Sequence, residues 1–302
     1  MNWGSSIVGG PWGRYWRCSL ASQAQSAAPN SSHAYSGVHE AVERAVGGWS
    51  RKVAERYERV NACLMDREEL LPNLDSGLPD PSVEPRELQS AVFDLDGVLI
   101  DSEPLMRFAF ARSYETVVGR GSAPIESYLE HMGEAFPRIM DRLRLPQSLW
   151  EPYRAICRSR LDLIRLFPGS HGLLEFCSNA GIRMAILTGK DQERTEEILE
   201  YFGLLRFFEV VAGSDQLTHS KPHPEGILFA LGRLGCQPHD AVMIGDSVND
   251  ILCAQRAGVF AIGVTWGTKP ERLRRLCAPN RLVDNFDNLR ALLRRLAGRP
   301  VA

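Results

Sequence analysis

Hydrophobic positions along this chain follow two rhythms, separated by a stretch with none. Val42, Val46, Trp49, Val53, Tyr57, Val60 and Leu64 recur at three- and four-residue spacing. That is the single apolar stripe of an amphipathic helix, expected over 38–64. Gly47 and Gly48 weaken it by about 1 kcal/mol each relative to alanine. Before it, residues 1–37 are rich in Gly, Ser and Ala, with Trp3, Trp12 and Trp16 interspersed. No period is visible there and disorder is expected. After it, "LPNLDSGLPDPSVEP" (71–85) carries Pro72, Pro79, Pro81 and Pro85 and reads as a linker. Residues 1–85 are thus an N-terminal extension to whatever follows.

From there the rhythm changes. "AVFDLD" (91–96), "RMAILTG" (183–189), "FEVVAG" (208–213), "AVMIGD" (241–246) and "FAIGVTWG" (260–267) are short, nearly continuous apolar runs. Helical spacing fills the stretches near 170–180, 191–202, 224–235 and 247–257. Strands apolar on both faces, alternating with helices, predict an α/β fold with a parallel five-stranded sheet covered on both sides. Residues 103–166 show no convincing strand; 107–118, 134–143 and 148–166 have helical patterns. The spacing therefore predicts a helical insert directly after the first strand, dividing an α/β core of 86–102 and 167–302.

Composition narrows the class only slightly. A net charge of −2 gives no reason to expect a nucleic-acid partner. No apolar run approaches the roughly 20 residues of a membrane span. Arg14 and Arg17 are followed by no apolar segment of the secretory kind. The seven cysteines are scattered without a C-x-x-C pair, which suits reduced packing cysteines and a cytoplasmic location.

The chemistry gathers where strands end. In an open parallel sheet, ligands sit outside the carboxyl ends of the strands. The first strand ends in Asp94 and Asp96, followed by Gly97; an unpaired carboxylate in such a run is expensive and must meet a cation or sit at the strand's exposed carboxyl end. The second ends in Thr188-Gly189-Lys190. The fourth ends in Gly245-Asp246-Ser247, with Asn249 and Asp250 behind, and "SKPHPEG" before it holds Lys221. Asp94, Asp246 and a backbone carbonyl near Asp96 offer the hard oxygen ligands that Mg²⁺ takes. With the metal offsetting repulsion between anions, one carboxylate can attack phosphorus. Thr188 and Lys221 suit the other phosphoryl oxygens, and Asp96 suits proton transfer at the leaving oxygen and the attacking water. Bottom-up, this is phosphoryl transfer through an aspartyl phosphate.

"DLDGVLID", "LTG", "SKPHPE" and "GDSVND" resemble the four ordered motifs of the haloacid dehalogenase-like superfamily of hydrolases. The resemblance covers residues 88–296 and implies a Rossmann-like core with a helical cap at 103–166. It implies Asp94 as nucleophile, Asp96 as acid/base, and Thr188, Gly189 and Lys221 around the phosphate. It implies Mg²⁺ on Asp94, Asp96 and Asp246, with Asp250 behind them. Dehalogenating members generally lack the second aspartate, so Asp96 favours phosphate esters.

The cap phrase "SYLEHMGEAFPRIMDRLRLP" (127–146), with "LTGK" and "SKPHPE", resembles phosphatases associated with 3-amino-5-hydroxybenzoate synthesis in antibiotic pathways. That implies a small phosphorylated metabolite such as an amino sugar phosphate. A phosphoglycolate phosphatase-like enzyme and a sugar phosphomutase of the same fold are the alternatives. Lys190, Glu103, Arg107, His131, Arg138 and Arg142 are candidates to touch substrate. The expected partner is a small phosphate ester, with no nucleic acid and no membrane. The helix at 38–64 is a candidate surface for self-association or a partner.

Overall fold

The computed structural model describes residues 83–85, 87–131, 133–267 and 270–298. The predicted disordered segment, the helix at 38–64 and most of the Pro-rich linker lie outside the described residues.

Strand β1 (Ser90–Phe93) is buried along its whole length and forms the centre of the sheet. The strands that follow are β4 (Arg183–Leu187), β5 (Val210–Ala212), β6 (Ala241–Gly245), β7 (Phe260–Val264) and β8 (Arg281–Val283). Their order is β5-β4-β1-β6-β7-β8, and every pairing is parallel. The sheet has six strands where five were expected. The sixth, β8, is a half-exposed edge strand of three residues, too short and too open to leave an apolar run. Two short strands, β2 (Ile100–Asp101) and β3 (Arg165–Leu166), pair antiparallel. Residues 165–166, read from sequence as the end of a helix, are therefore a strand closing the neck of the insert.

Because successive strand side chains point to opposite faces, the sheet feeds two cores. Phe93, Ile186, Ile244 and Ile262 pack against helices α5 (Ser170–Asn179) and α10 (Phe286–Leu296) through Leu173, Leu174, Leu289 and Leu293. Val92, Ala185, Met243 and Ala261 pack against α7 (Glu225–Leu234) and α8 (Val248–Arg256) through Ile227, Leu231, Ile251 and Ala254. Helix α6 (Gln192–Tyr201) follows β4, and α9 (Pro270–Leu276) follows β7. The cysteines among the described residues are free and buried, as scattered packing cysteines should be. No helix among them is long and apolar enough to cross a membrane.

Between β2 and β3 run α1 (Glu103–Val117), α2 (Ile125–Leu129), α3 (Phe136–Leu143) and α4 (Trp150–Ser159). They share an aromatic core. Phe110 stacks on Tyr128 with centroids 4.2 Å apart, and Phe136 meets Tyr153 at 4.6 Å. The buried Tyr128 hydroxyl donates to that of Tyr153 at 2.8 Å, so neither polar tip is stranded in the apolar interior. Phe110 is fully buried. Phe110→Ala is expected to cost about 3–5 kcal/mol in urea unfolding, because it removes both the ring and its stacking partner's contact. A loss below about 1 kcal/mol would mean that the insert collapses onto the gap.

Candidate active site

The strand ends behave as the alternation of apolar runs and acids suggests. Asp94 follows β1 directly and its N–H donates to the Ile244 carbonyl at 2.9 Å, extending the ladder by one bond. The chain then turns at Gly97, whose φ of +72° favours glycine and where a Cβ would collide with the Asp246 carboxylate. Glycine is there because an acid from the neighbouring strand occupies the space a side chain would need.

Lys221 is the electrostatic centre. Its ammonium lies 2.9 Å from Asp94 Oδ1 and 2.6 Å from Asp250 Oδ1, and it donates to the Leu187 carbonyl at 3.2 Å. Lys221, Asp94 and Asp250 are all buried. Burial alone would drive the lysine towards neutrality, but Asp250 and Asp94 reverse this and its pKa is raised. Asp250 is held from behind: its Oδ2 accepts the Ser247 N–H at 3.1 Å in a capping box at the start of α8. The loop carrying Lys221 is braced by Glu225, whose carboxylate accepts the N–H groups of Thr218 at 2.9 Å and His219 at 2.8 Å. The Lys221–Pro222 peptide is cis.

Oxygen atoms of Asp94, Asp246 and Asp250 lie within 4.8 Å of one another. Burial, then the neighbouring Asp250 and Asp96, push Asp94 up to about 7 against the pull of Lys221. Burial, Asp250 and Asp94 push Asp246 well up too. Asp94 Oδ1, although in ion-pair range of Lys221, has no directed hydrogen bond. Three acids against one ammonium, with a buried oxygen left over, fit a hard divalent cation such as Mg²⁺. Of the three, Asp94 and Asp246 are the candidates to hold it. Asp250 is already committed to Lys221 and the helix cap.

Asp96 sits in a different environment. It accepts a hydrogen bond from Ser102 and forms an ion pair with Lys190. Burial raises its pKa, but Lys190 and Ser102 outweigh burial and the net shift is downward. Thr188 is buried at the end of β4, with its hydroxyl accepting the Lys190 N–H at 3.3 Å. Gly189 has no room for a Cβ, which would strike the Gly133 carbonyl of the insert.

The structure thus brings together Asp94, Asp96, Thr188, Gly189, Lys190, Lys221, Asp246 and Asp250. The expected insert residues are engaged with other partners. Arg107 is spent on Glu103 at 2.7 Å and Glu126 at 2.6 Å on the insert's outer surface. His131, Arg138 and Arg142 gather on Glu134, at 3.3, 3.6 and 2.9 Å. Only Glu134 of that group lines the cavity of about 20 Å³ beside Asp96, with Tyr128, Phe136, Tyr153, Lys190 and Arg194. Ser102 and Arg194 escaped the sequence reading. Arg194 lies three residues after Asp191, which caps α6 and pairs with it, so from sequence it is an ordinary helix-end ion pair.

The family model described as "Haloacid dehalogenase-like hydrolase" matches residues 91–264. Pyrophosphatase PpaX of Bacillus pumilus is 30% identical over 212 residues, covering 68% of this chain and 96% of that protein. Phosphoglycolate phosphatase 1 of Pseudomonas aeruginosa is 30% identical over 223 residues, covering 70% and 81% respectively. Among solved structures, CbbY from Rhodobacter sphaeroides in complex with phosphate is 28% identical. It aligns with a TM-score of 0.58 over 67% of this chain and 96% of that one.

The lysine's loop carries an acid-labile group. Burial, then the nearby His219 and Arg256, pull His223 down to about 4, with Glu225 opposing. A histidine depressed below its unfolded value near 6.5 leaves stability intact above that pH. Stability is lost as pH falls from about 6.5 towards 4, because the unfolded chain takes the proton first. Replacing it by glutamine (His223→Gln) should flatten that part of the stability–pH curve, by up to roughly 3 kcal/mol at its acid end. Parallel curves for wild type and variant in urea titrations at pH 7.5 and 4.5 would refute it.

Proposed function

Because the chain belongs to the haloacid dehalogenase-like hydrolases, we propose that it is a Mg²⁺-dependent phosphatase hydrolysing a small phosphorylated metabolite through an aspartyl phosphate. The observation that carries this is the pairing of two unlike carboxylates two residues apart. Asp94 is buried with an oxygen lacking a hydrogen bond, beside the Lys221 ammonium, Asp246 and Asp250. Asp96 is turned to Ser102 and Lys190.

The residues divide the work accordingly. An Asp94 oxygen attacks phosphorus and the bond to the ester oxygen breaks. Asp96, which takes up a proton when the anionic substrate binds beside it, delivers that proton to the ester oxygen, so the leaving group departs as an alcohol. Asp96 then takes a proton from a water whose oxygen attacks phosphorus; the bond from phosphorus to Asp94 breaks, releasing inorganic phosphate and restoring the Asp94 carboxylate and the protonated Asp96. Lys221 and the Thr188 hydroxyl hold the peripheral oxygens, where charge gathers during transfer. Asp94 and Asp246 would hold Mg²⁺, which would supply the positive charge that lets an anion approach an anion. The cavity beside Asp96 has room for about one water, so substrate enters when the insert lifts from the sheet edge.

The relatives named above divide between a pyrophosphatase and a phosphoglycolate phosphatase, which supports the reaction class and leaves the leaving group open. The amino sugar phosphate expected from the insert's phrases belongs to that same class.

Asp94→Asn should leave the far-ultraviolet spectrum unchanged and lower turnover of p-nitrophenyl phosphate at least a thousandfold, since the amide cannot be phosphorylated. EDTA should abolish wild-type turnover, and added Mg²⁺ should restore it without any bisphosphate, which separates a phosphatase from a mutase. Turnover within tenfold of wild type in Asp94→Asn would end the covalent mechanism.

Asp96→Asn separates the two carboxylates. Without a general acid, alkyl phosphates should slow by about 10²–10⁴. Aryl phosphates, whose leaving oxygen needs little protonation, should slow less. Equal losses on both ester types would mean that Asp96 acts only in positioning.

A further inference from the structure

Among the described residues, the buried cations are Lys190, Arg194 and Lys221. Lys221 is accounted for by Asp94 and Asp250. Lys190 and Arg194 are placed differently: both line the cavity beside Asp96, and both line a second cavity continuing past Ser102 and Met106. They stand beside Asp96, the group proposed above to protonate the leaving oxygen.

Each has one carboxylate partner. Arg194 pairs through Nε with Asp191, while its guanidinium lies over the rings of Trp150 at 4.7 Å and Tyr153 at 5.5 Å. Those contacts place the guanidinium against the insert's rings, and its remaining N–H groups are donors on a residue that lines both cavities. Among the described residues, Lys190 pairs with Asp96 alone. When Asp96 turns to the ester oxygen, the buried ammonium loses its anion, and a buried charge without a partner is costly. Something anionic must replace it.

We propose that Lys190 and Arg194 form a subsite for a second negative group, and that the leaving group of the natural substrate carries a carboxylate or a phosphoryl group close to the ester oxygen. This rests on the phosphatase reading above and goes further by fixing the charge of the leaving group. A neutral leaving group leaves Lys190 uncompensated. One bearing an ammonium, as an amino sugar does, adds a like charge to two buried cations. The narrow cavity, walled by Tyr128, Phe136 and Tyr153, favours a compact group, and Glu134, which also lines it, is already engaged by Arg138 and Arg142.

The test uses the full chain with Mg²⁺ and esters of one size: phosphoglycolate, 2-hydroxyethyl phosphate and phosphoethanolamine, whose far ends are anionic, neutral and cationic. Pyrophosphate tests a phosphoryl group in the same place, and p-nitrophenyl phosphate reports the chemistry by itself. At least one of the two anionic substrates should exceed 2-hydroxyethyl phosphate in kcat/KM by tenfold or more, and phosphoethanolamine should be slowest. Which of phosphoglycolate and pyrophosphate is faster identifies the anion. Arg194→Gln should lower kcat/KM for the preferred anionic substrate at least tenfold more than for the neutral ester, whereas Arg194→Lys should keep part of the preference. Wild-type protein that hydrolyses the neutral or cationic ester as well as both anions overturns the subsite, and needs no folded variant. Loss of all turnover, p-nitrophenyl phosphate included, overturns the phosphatase reading and the subsite with it.

Discussion

The site is organised around one ammonium that must serve two buried acids while a third lies within reach. Lys221 is within 2.9 Å of Asp94 and 2.6 Å of Asp250, and Asp246 adds its charge to the same cluster. Taking each of these ions out of water costs several kcal/mol unless partners are closely placed. Much of the surrounding structure is therefore concerned with placement. The capping box keeps Asp250 aimed at the lysine, Glu225 ties down the lysine's loop, and Gly97 leaves room for the Asp246 carboxylate. Asp94 and Asp246 are shifted upward first by burial and then by the neighbouring acids, which Lys221 only partly offsets.

The insert is held to the core by contacts of unequal worth. Arg154 and Arg158 of α4 reach Glu193 of α6, and Arg158 also reaches Glu197 at 2.6 Å. These side chains are partly exposed, and such pairs contribute about 0–1 kcal/mol each. Arg194, buried against Trp150 and Tyr153, makes a closer contact between α6 and the insert. Weak rim pairs around one buried stacking contact suit a seam that parts for substrate and closes to exclude water.

The parallel strands β1, β4, β5, β6 and β7 were legible because strands buried on both faces leave continuous apolar runs. Acids and hydroxyls at their carboxyl ends then mark the site, since polar groups there need a reason. What escaped has physical causes. Strand β8 lies at the edge with its three residues half exposed, and β2 and β3 have two residues each, too few for any period. Glu103 and Arg107 look like substrate ligands only while their partners are unknown; Glu126, nineteen residues further on, occupies the arginine. Arg194 failed in the opposite sense. Its spacing from Asp191 is that of any surface ion pair on a first helical turn, and only the packing of Trp150 and Tyr153 above it shows that it is buried. Exposure is a tertiary property, and local spacing does not contain it.

Two carboxylates on one short segment must do different jobs, and the fold separates them by giving each its own lysine. Asp94 shares Lys221 with other acids, so its partner's charge is divided and its carboxylate is left under-compensated. Asp96 has Lys190 to itself, with Ser102 in addition, and is fully compensated until a ligand arrives. The first arrangement suits an oxygen that binds a cation and attacks phosphorus. The second suits one that must change partners during the reaction. Lys190 is held by the turn after β4 and Lys221 by the loop before α7, so the two environments are set by different parts of the sheet edge. A change in either lysine therefore acts first on one carboxylate, and the proposed nucleophile and proton donor answer to different cations although only Leu95 lies between them.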